Sequence, residues 1–193
     1  MKKILIILGH PDKNSFNGAI ARHYKKAAKK SGYNVELVYL GELKFDPILY
    51  KGYKKIQKLE PDLVKMQQKI DWADHLVFIF PTWWYSYPAL LKGFIDRTIL
   101  PGFAFKYKEN SLLPLPKRYL KGKTARLITT VDGLVLFYKL FGHSGLKSLK
   151  YGVLFFIGVW PVKTLILGPI KNSTKNKRQK WLNKINKLAK QAL

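Results

Sequence analysis

Three consecutive aromatic residues stand in the stretch Phe80-Pro81-Thr82-Trp83-Trp84-Tyr85-Ser86-Tyr87-Pro88. It follows a short apolar run, residues 75–80, and precedes residues 89–97, whose apolar side chains recur at helical spacing. The stretch is therefore a strand-to-helix loop, with Pro88 where a helix tolerates proline. Surface loops are normally polar, so three large rings there need something flat to cover. Either a planar cofactor lies on the loop, or the rings form a core or subunit-interface cluster. A second loop, Gly9-His10-Pro11-Asp12-Lys13-Asn14-Ser15-Phe16-Asn17, offers His10, Ser15, Asn17 and the free amides of a helix start. Such an end presents unpaired N–H groups and positive potential, which suits a phosphate; Ser15 and Asn17 are equally ordinary N-caps. The loop has neither the GxxxxGK[ST] nor the GxGxxG pattern, so triphosphate hydrolysis and classical dinucleotide binding lack their usual signatures.

The elements that must position these loops alternate along the chain. Residues 3–8, 34–40, 74–81, 124–131 and 161–167 are expected as strands. Residues 17–31, 61–72, 89–100, 142–157 and 174–193 are expected as helices. The first, third and fourth strands are short and almost wholly apolar, as strands buried on both faces of a parallel sheet should be. The economical arrangement is one α/β domain over residues 1–193, a doubly wound five-stranded parallel sheet in the order 2-1-3-4-5 with helices on both faces. Ligands of such sheets bind beyond the carboxyl ends of the strands at the topological switch point, here between strands one and three. That places loops 9–17 and 81–88 together, with residues 129–133 beside them. Residues 41–60 form a long polar connection, and a loop begins at Asp132-Gly133. Residues 101–123 are too long for an idle connection and read as a lid or a dimer-contact arm.

Composition bounds the rest. A chain of 193 residues can bury roughly 70% of its unfolded surface. It has no cysteine, which excludes disulfides, thiolate chemistry and sulfur-built metal sites; this suits a reducing cytoplasm, the expected location. The start, Met1-Lys2-Lys3 and five apolar residues, ends in Gly9-His10-Pro11-Asp12 and reads as a first strand, not a targeting segment. The net charge of +25 invites nucleic acid or an anionic membrane as partner. The lysines are spread along the chain, however, five of 36 cations are arginine, and no nucleic-acid-binding signature appears. The expectation is no specific nucleic acid, with loose attraction to membrane surfaces and other polyanions.

The loops in combination carry a resemblance. Gly-His-Pro-x-x-x-Ser-Phe-Asn after the first strand, residues 80–97 after the third, and Leu-Pro-Gly-Phe-Ala-Phe next are similar to the flavodoxin-like NAD(P)H:quinone oxidoreductases. The resemblance implies a flavin whose phosphate or pyrophosphate is held by His10, Ser15, Phe16 and Asn17. It implies an isoalloxazine ring lined by Pro81, Thr82, Trp83, Trp84 and Tyr85, with Thr129, Thr130 and Gly133 abutting it. His143 falls where relatives place a histidine near the ring edge, and it also reads as a helix cap between Gly142 and Ser144. The tyrosine that relatives carry ahead of it aligns with Phe137, with Tyr138 one place later; His143 and Tyr138 are the catalytic candidates. Relatives follow the threonine pair with Gly-Gly, where this chain has Val131-Asp132-Gly133, and Asp132 would oppose negative charge on a reduced ring unless it points away. The implied reaction is a ping-pong hydride transfer from NAD(P)H to a quinone or similar flat acceptor. FMN is favoured, since the chain is short and no segment is dedicated to adenine; the family also uses FAD. A homodimer is implied, with the Tyr107 arm and residues 153–160 as contacts. The same motifs also occur in ancillary flavoproteins of potassium-efflux systems, so a regulatory subunit of a membrane transporter is the alternative.

Overall fold

The computed structural model describes residues 1–107 and 116–191. A parallel sheet is built from β1 (Lys3–Leu8), β2 (Asn34–Tyr39), β3 (His75–Pro81), β6 (Thr124–Thr130) and β7 (Val162–Leu167), in the order β2-β1-β3-β6-β7. This is the expected 2-1-3-4-5 arrangement once a small extra hairpin, β4 (Phe105–Tyr107) with β5 (Pro116–Arg118), is set aside. The hairpin occupies part of the expected arm. Its intervening residues 108–115 lie outside the described residues.

Alternate residues of each central strand feed two cores, because side chains along a strand point to opposite faces. Ile4, Ile6, Leu8, Val77, Ile79 and Ile128 pack against α1 (Phe16–Lys30) and α6 (Lys175–Lys190). Leu5, Ile7, Phe78, Phe80 and Leu127 pack on the other face against α2 (Pro61–Trp72), α3 (Ala89–Thr98) and a π-helical segment, Ser148–Phe155. Burial on both faces explains why these strands are apolar without alternation.

The region 131–157 differs from expectation. A short helix, α4 (Val135–Leu140), lies where only a loop was expected. None of its residues is buried, so it has no polar face to betray it. The expected helix at 142–157 divides into α5 (Ser144–Lys147) and the π-helical segment.

The long connection 43–60 has no regular structure and is pinned instead by a buried cation. Arg97 of α3 is fully buried. It donates to the carbonyls of Asp46 and Lys58 and pairs with Glu60 at 2.8 Å. Gly93 lets the connection approach: a Cβ there would stand 2.3 Å from Pro47.

Candidate functional site

The site is assembled at the carboxyl ends of β1, β3 and β6. After β1 the chain is folded tightly by its own polar groups. Asp12 accepts the Asn14 N–H at 2.7 Å, and the Ser15 hydroxyl donates to the Asp12 carbonyl at 2.7 Å while accepting the Gly18 N–H at 3.2 Å. Ser15 is thus the N-cap of α1. The helix can start so close because residue 18 is glycine; a Cβ there would lie 1.9 Å from the Lys13 carbonyl oxygen. Among the described residues, the N–H groups of Phe16 and Asn17 have no acceptor. They are unpaired donors at a helix start, where such groups and the helix dipole favour an anion in general. The Phe16 side chain does not face that end: it packs at 6.1 Å from Trp181, with Arg178 over its ring. Only its backbone points toward the site. His10 accepts the Asp12 N–H on Nδ1 at 2.9 Å, which leaves Nε2 as the protonated donor of a neutral ring. Burial lowers its pKa, against the pull of Asp12.

Strand register brings the threonines in. Phe80 pairs with Thr129 and Pro81 with Thr130. Asn17 reaches across to donate to Thr130 Oγ1 at 2.9 Å, and its own Oδ1 is buried without a partner. An orphaned buried acceptor in a site is unusual and marks room for a donor from a ligand.

After β3, Trp83 and Ser86 exchange both backbone hydrogen bonds, at 3.0 and 2.9 Å. The two residues between them have positive φ, 49° at Trp84 and 62° at Tyr85. Bulky side chains rarely adopt this conformation, which costs about 1–2 kcal/mol per residue. Trp84 is 100% exposed, so its ring recovers nothing by packing within this chain. Trp83 is half exposed and meets the His10 ring edge-on at 5.8 Å, joining the two loops. The turn is held from below by α5: the Ser144 hydroxyl and the Gly145 N–H both donate to the Tyr85 carbonyl, at 2.7 and 3.1 Å. A cleft of 520 Å³ opens along the turn, lined by Trp83, Trp84, Tyr87 and Lys92 among others.

His143 fills the helix-cap role that its sequence context allowed. Its Nδ1 caps α5 by accepting the Leu146 N–H at 3.1 Å. A backbone N–H only donates, so the ring proton lies on Nε2, which donates to Thr82 Oγ1 at 2.7 Å. The Thr82 hydroxyl also hydrogen-bonds the Thr129 hydroxyl at 2.8 Å. Burial lowers the His143 pKa and keeps the ring neutral. Tyr138, not Phe137, faces this cluster. Its ring stacks on Tyr85 at 4.8 Å, lies 5.3 Å from His143, and rests against Gly133, where a Cβ would meet it at 3.1 Å. Burial raises the Tyr138 pKa. Phe137 stacks on Phe141 and is half exposed. Asp132 turns aside: its Oδ1 accepts the Lys171 N–H at 2.9 Å.

The site residues expected from sequence are thus brought together, apart from the Phe16 side chain. Sequence reasoning missed Ser144, whose hydroxyl has no motif around it, and three lysines near His143 described below.

A parallel sheet in the order β2-β1-β3-β6-β7 with helices on both faces defines a doubly wound α/β protein, and the loops after β1 and β3 meet at its switch point through His10 and Trp83. The family model for the flavodoxin-like fold matches residues 2–190. Over 184 residues the chain is 33% identical to a ribosyldihydronicotinamide dehydrogenase-like protein of Penicillium crustosum, covering 81% of this chain and 69% of that one. It is 32% identical over 184 residues to NAD(P)H dehydrogenase (quinone) 1 of Cavia porcellus, covering 82% and 65%. The crystal structure of Smu.1420 from Streptococcus mutans, 33% identical, superposes with a TM-score of 0.82 over 98% of this chain and 99% of that one. The chain belongs to the flavodoxin-like family, in company with NAD(P)H:quinone oxidoreductases.

Proposed function

We propose that this chain is a flavin-dependent NAD(P)H oxidoreductase that reduces quinones or similar flat acceptors by two electrons. The observation that carries this reading is the facing pair of loops. One offers free amides and a neutral His10 to a phosphate, and the other holds exposed aromatics on a strained backbone. The group fits the residues present: the Phe16 and Asn17 amides and the orphaned Asn17 Oδ1 provide polar partners, and the exposed turn provides a flat apolar platform.

A flavin held there would supply the redox chemistry, a two-electron transfer from a reduced nicotinamide to the acceptor. The chain's residues do the rest. Trp83, Trp84 and Tyr85 orient flat rings by stacking. Thr129, Thr130 and Gly133 form the floor. His143 donates its neutral Nε2–H to Thr82 Oγ1 and so fixes that hydroxyl beside Thr129. Tyr138, with a raised pKa, stays a protonated donor at neutral pH. With Asp132 bonded to the Lys171 amide, no carboxylate from this loop is aimed at the ring. Donor and acceptor share one face, which gives ping-pong kinetics.

FMN is the favoured cofactor in this reading. A homodimer is part of the reading, supported by exposed Tyr107, Tyr151, Phe155 and Trp160 beside the hairpin. The test is an absorption spectrum of flavin-supplemented, desalted protein, titrated anaerobically with NADH and NADPH. Retained yellow flavin that bleaches with either donor supports the assignment, and chromatography of the released flavin separates FMN from FAD. Colourless protein refutes it.

A further inference from the structure

The strongest feature not absorbed by the site is a cavity of 230 Å³ that opens beside Tyr138 and His143, lined by Lys139, Lys147, Lys150 and Thr164 among others. We infer that this cavity receives a phosphate of the nicotinamide donor, so that the enzyme selects phosphorylated dinucleotides over the uncharged riboside. The inference rests on the oxidoreductase reading and narrows its donor. The relatives divide on this point by name, between ribosyldihydronicotinamide and NAD(P)H.

The charge around the cavity is one-sided. All 11 Asp and Glu of the sequence lie at or before Asp132, so no later side chain carries a carboxylate. None of the three lysines pairs with a carboxylate among the described residues. Asp132, the nearest in sequence, is engaged by the Lys171 amide. The ammonium groups are held by means that leave their charge intact. Lys147 folds back over Gly142, where a Cβ would stand 2.6 Å from Nζ. Lys150 stands over the rings of Tyr151 and Trp160, 5.0 and 5.3 Å from their centroids, a cation–π arrangement. Like charges gathered around one cavity repel each other, and the natural relief is a multiply charged anion. Tyr138 and His143 line this cavity and lie 4.8 and 5.8 Å from the Tyr85 ring of the aromatic turn, so a nicotinamide stacked at the turn extends its phosphates toward the lysines.

The test is the variant Lys139→Gln/Lys147→Gln/Lys150→Gln, which keeps the side-chain stems and removes three charges. Its control, Lys175→Gln/Lys180→Gln/Lys184→Gln on the exposed face of α6, removes the same charge elsewhere. With flavin-loaded protein, kcat/KM is measured for NADH, NADPH and dihydronicotinamide riboside. The ratio of kcat/KM for NADPH to that for the riboside should fall at least tenfold in the first variant, through KM, and less than twofold in the control. A fall for NADPH alone assigns the 2′-phosphate; an equal fall for NADH assigns the pyrophosphate. A parallel fall for the riboside, an equal effect in the control, or an unchanged ratio overturns the inference. Calorimetric titration of flavin-free protein with 2′-phospho-ADP-ribose gives a readout free of turnover. Wild type should bind in a salt-sensitive manner and the cavity variant at least tenfold more weakly; equal binding overturns the inference. If wild type retains no flavin, the oxidoreductase reading fails while this titration still decides the anion site.

Discussion

Replacing Trp84 by Asn is expected to stabilise the flavin-free protein while weakening its hold on flavin. Trp84 is fully exposed at φ 49°, so truncating it forfeits no burial and no packing within the chain. The left-handed conformation costs a bulky residue about 1–2 kcal/mol, and Asn tolerates it better than any other non-glycine residue. A net gain of about 0.5–1 kcal/mol follows, and in a chain of this size it moves the melting midpoint by about 1–4 °C. Urea denaturation of flavin-free protein reads this gain directly. The opposite sign is expected for the cofactor. A flat heterocycle stacked on an aromatic side chain gains ~1–3 kcal/mol, so loss of one ring should weaken flavin binding about tenfold, read by fluorescence titration. Tyr85→Asn relieves the same kind of strain but loses stacking on Tyr138 at 4.8 Å, and should destabilise by about 1 kcal/mol. Two results refute the reasoning. A Trp84→Asn protein less stable by 1 kcal/mol shows that the ring packs within the fold. Unchanged flavin affinity shows that the ring does not lie on this turn.

Gly145→Ala should cost about 1–3 kcal/mol in urea and weaken flavin retention, because its Cβ would stand 2.7 Å from Ser86 Cα and wedge α5 from the turn; an unperturbed variant means that the two move apart freely. His143→Ala should cost about 1 kcal/mol as a lost cap and slow flavin reduction ~10-fold, whereas His143→Asn should restore the stability but not the rate; a rate restored by Asn leaves His143 as a cap alone. His75 supplies a pH prediction. It is fully buried, and desolvation lowers its pKa from 6.5 to about 3. Below pH 6.5 the unfolded chain binds a proton that the folded chain refuses, so stability falls as pH drops. The slope from this residue is about 1.4 kcal/mol per pH unit down to about pH 3, or about 2 kcal/mol between pH 6.5 and 5. The double variant His75→Leu/Thr124→Val, which removes both ends of the 2.7 Å bond, should flatten that slope; a slope that persists places the acid sensitivity elsewhere.

The sheet was legible because strands buried on both faces cannot be disguised: Ile4 to Leu8 and Leu76 to Phe80 admit no helical face. Its order then brought the right loops together. What stayed hidden depends on contacts between distant residues. Asn17 bonds Thr130 across 113 residues of sequence and His143 bonds Thr82 across 61, contacts that only the folded chain brings about. Whether Phe137 or Tyr138 turned inward was undecidable from spacing, since α4 buries none of its residues and shows no amphipathic pattern. Phe16 sits in the phosphate-loop motif, yet its ring is claimed by Trp181 and Arg178, more than 160 residues downstream. The lysine cavity escaped notice because its three cations are scattered among many similar ones, and only folding sets them around one space.

The bonding around His143 also decides what a second proton on its ring would do. Nδ1 is the only nitrogen left to take one, and it already receives the Leu146 N–H. Protonation there sets donor against donor, so the first turn of α5 must open to admit it. The imidazole is therefore not a freely exchanging proton store but a dipole latched to the backbone. Any step that loaded it would be recorded as movement of the peptide at Leu146, visible as accelerated amide exchange at that one position.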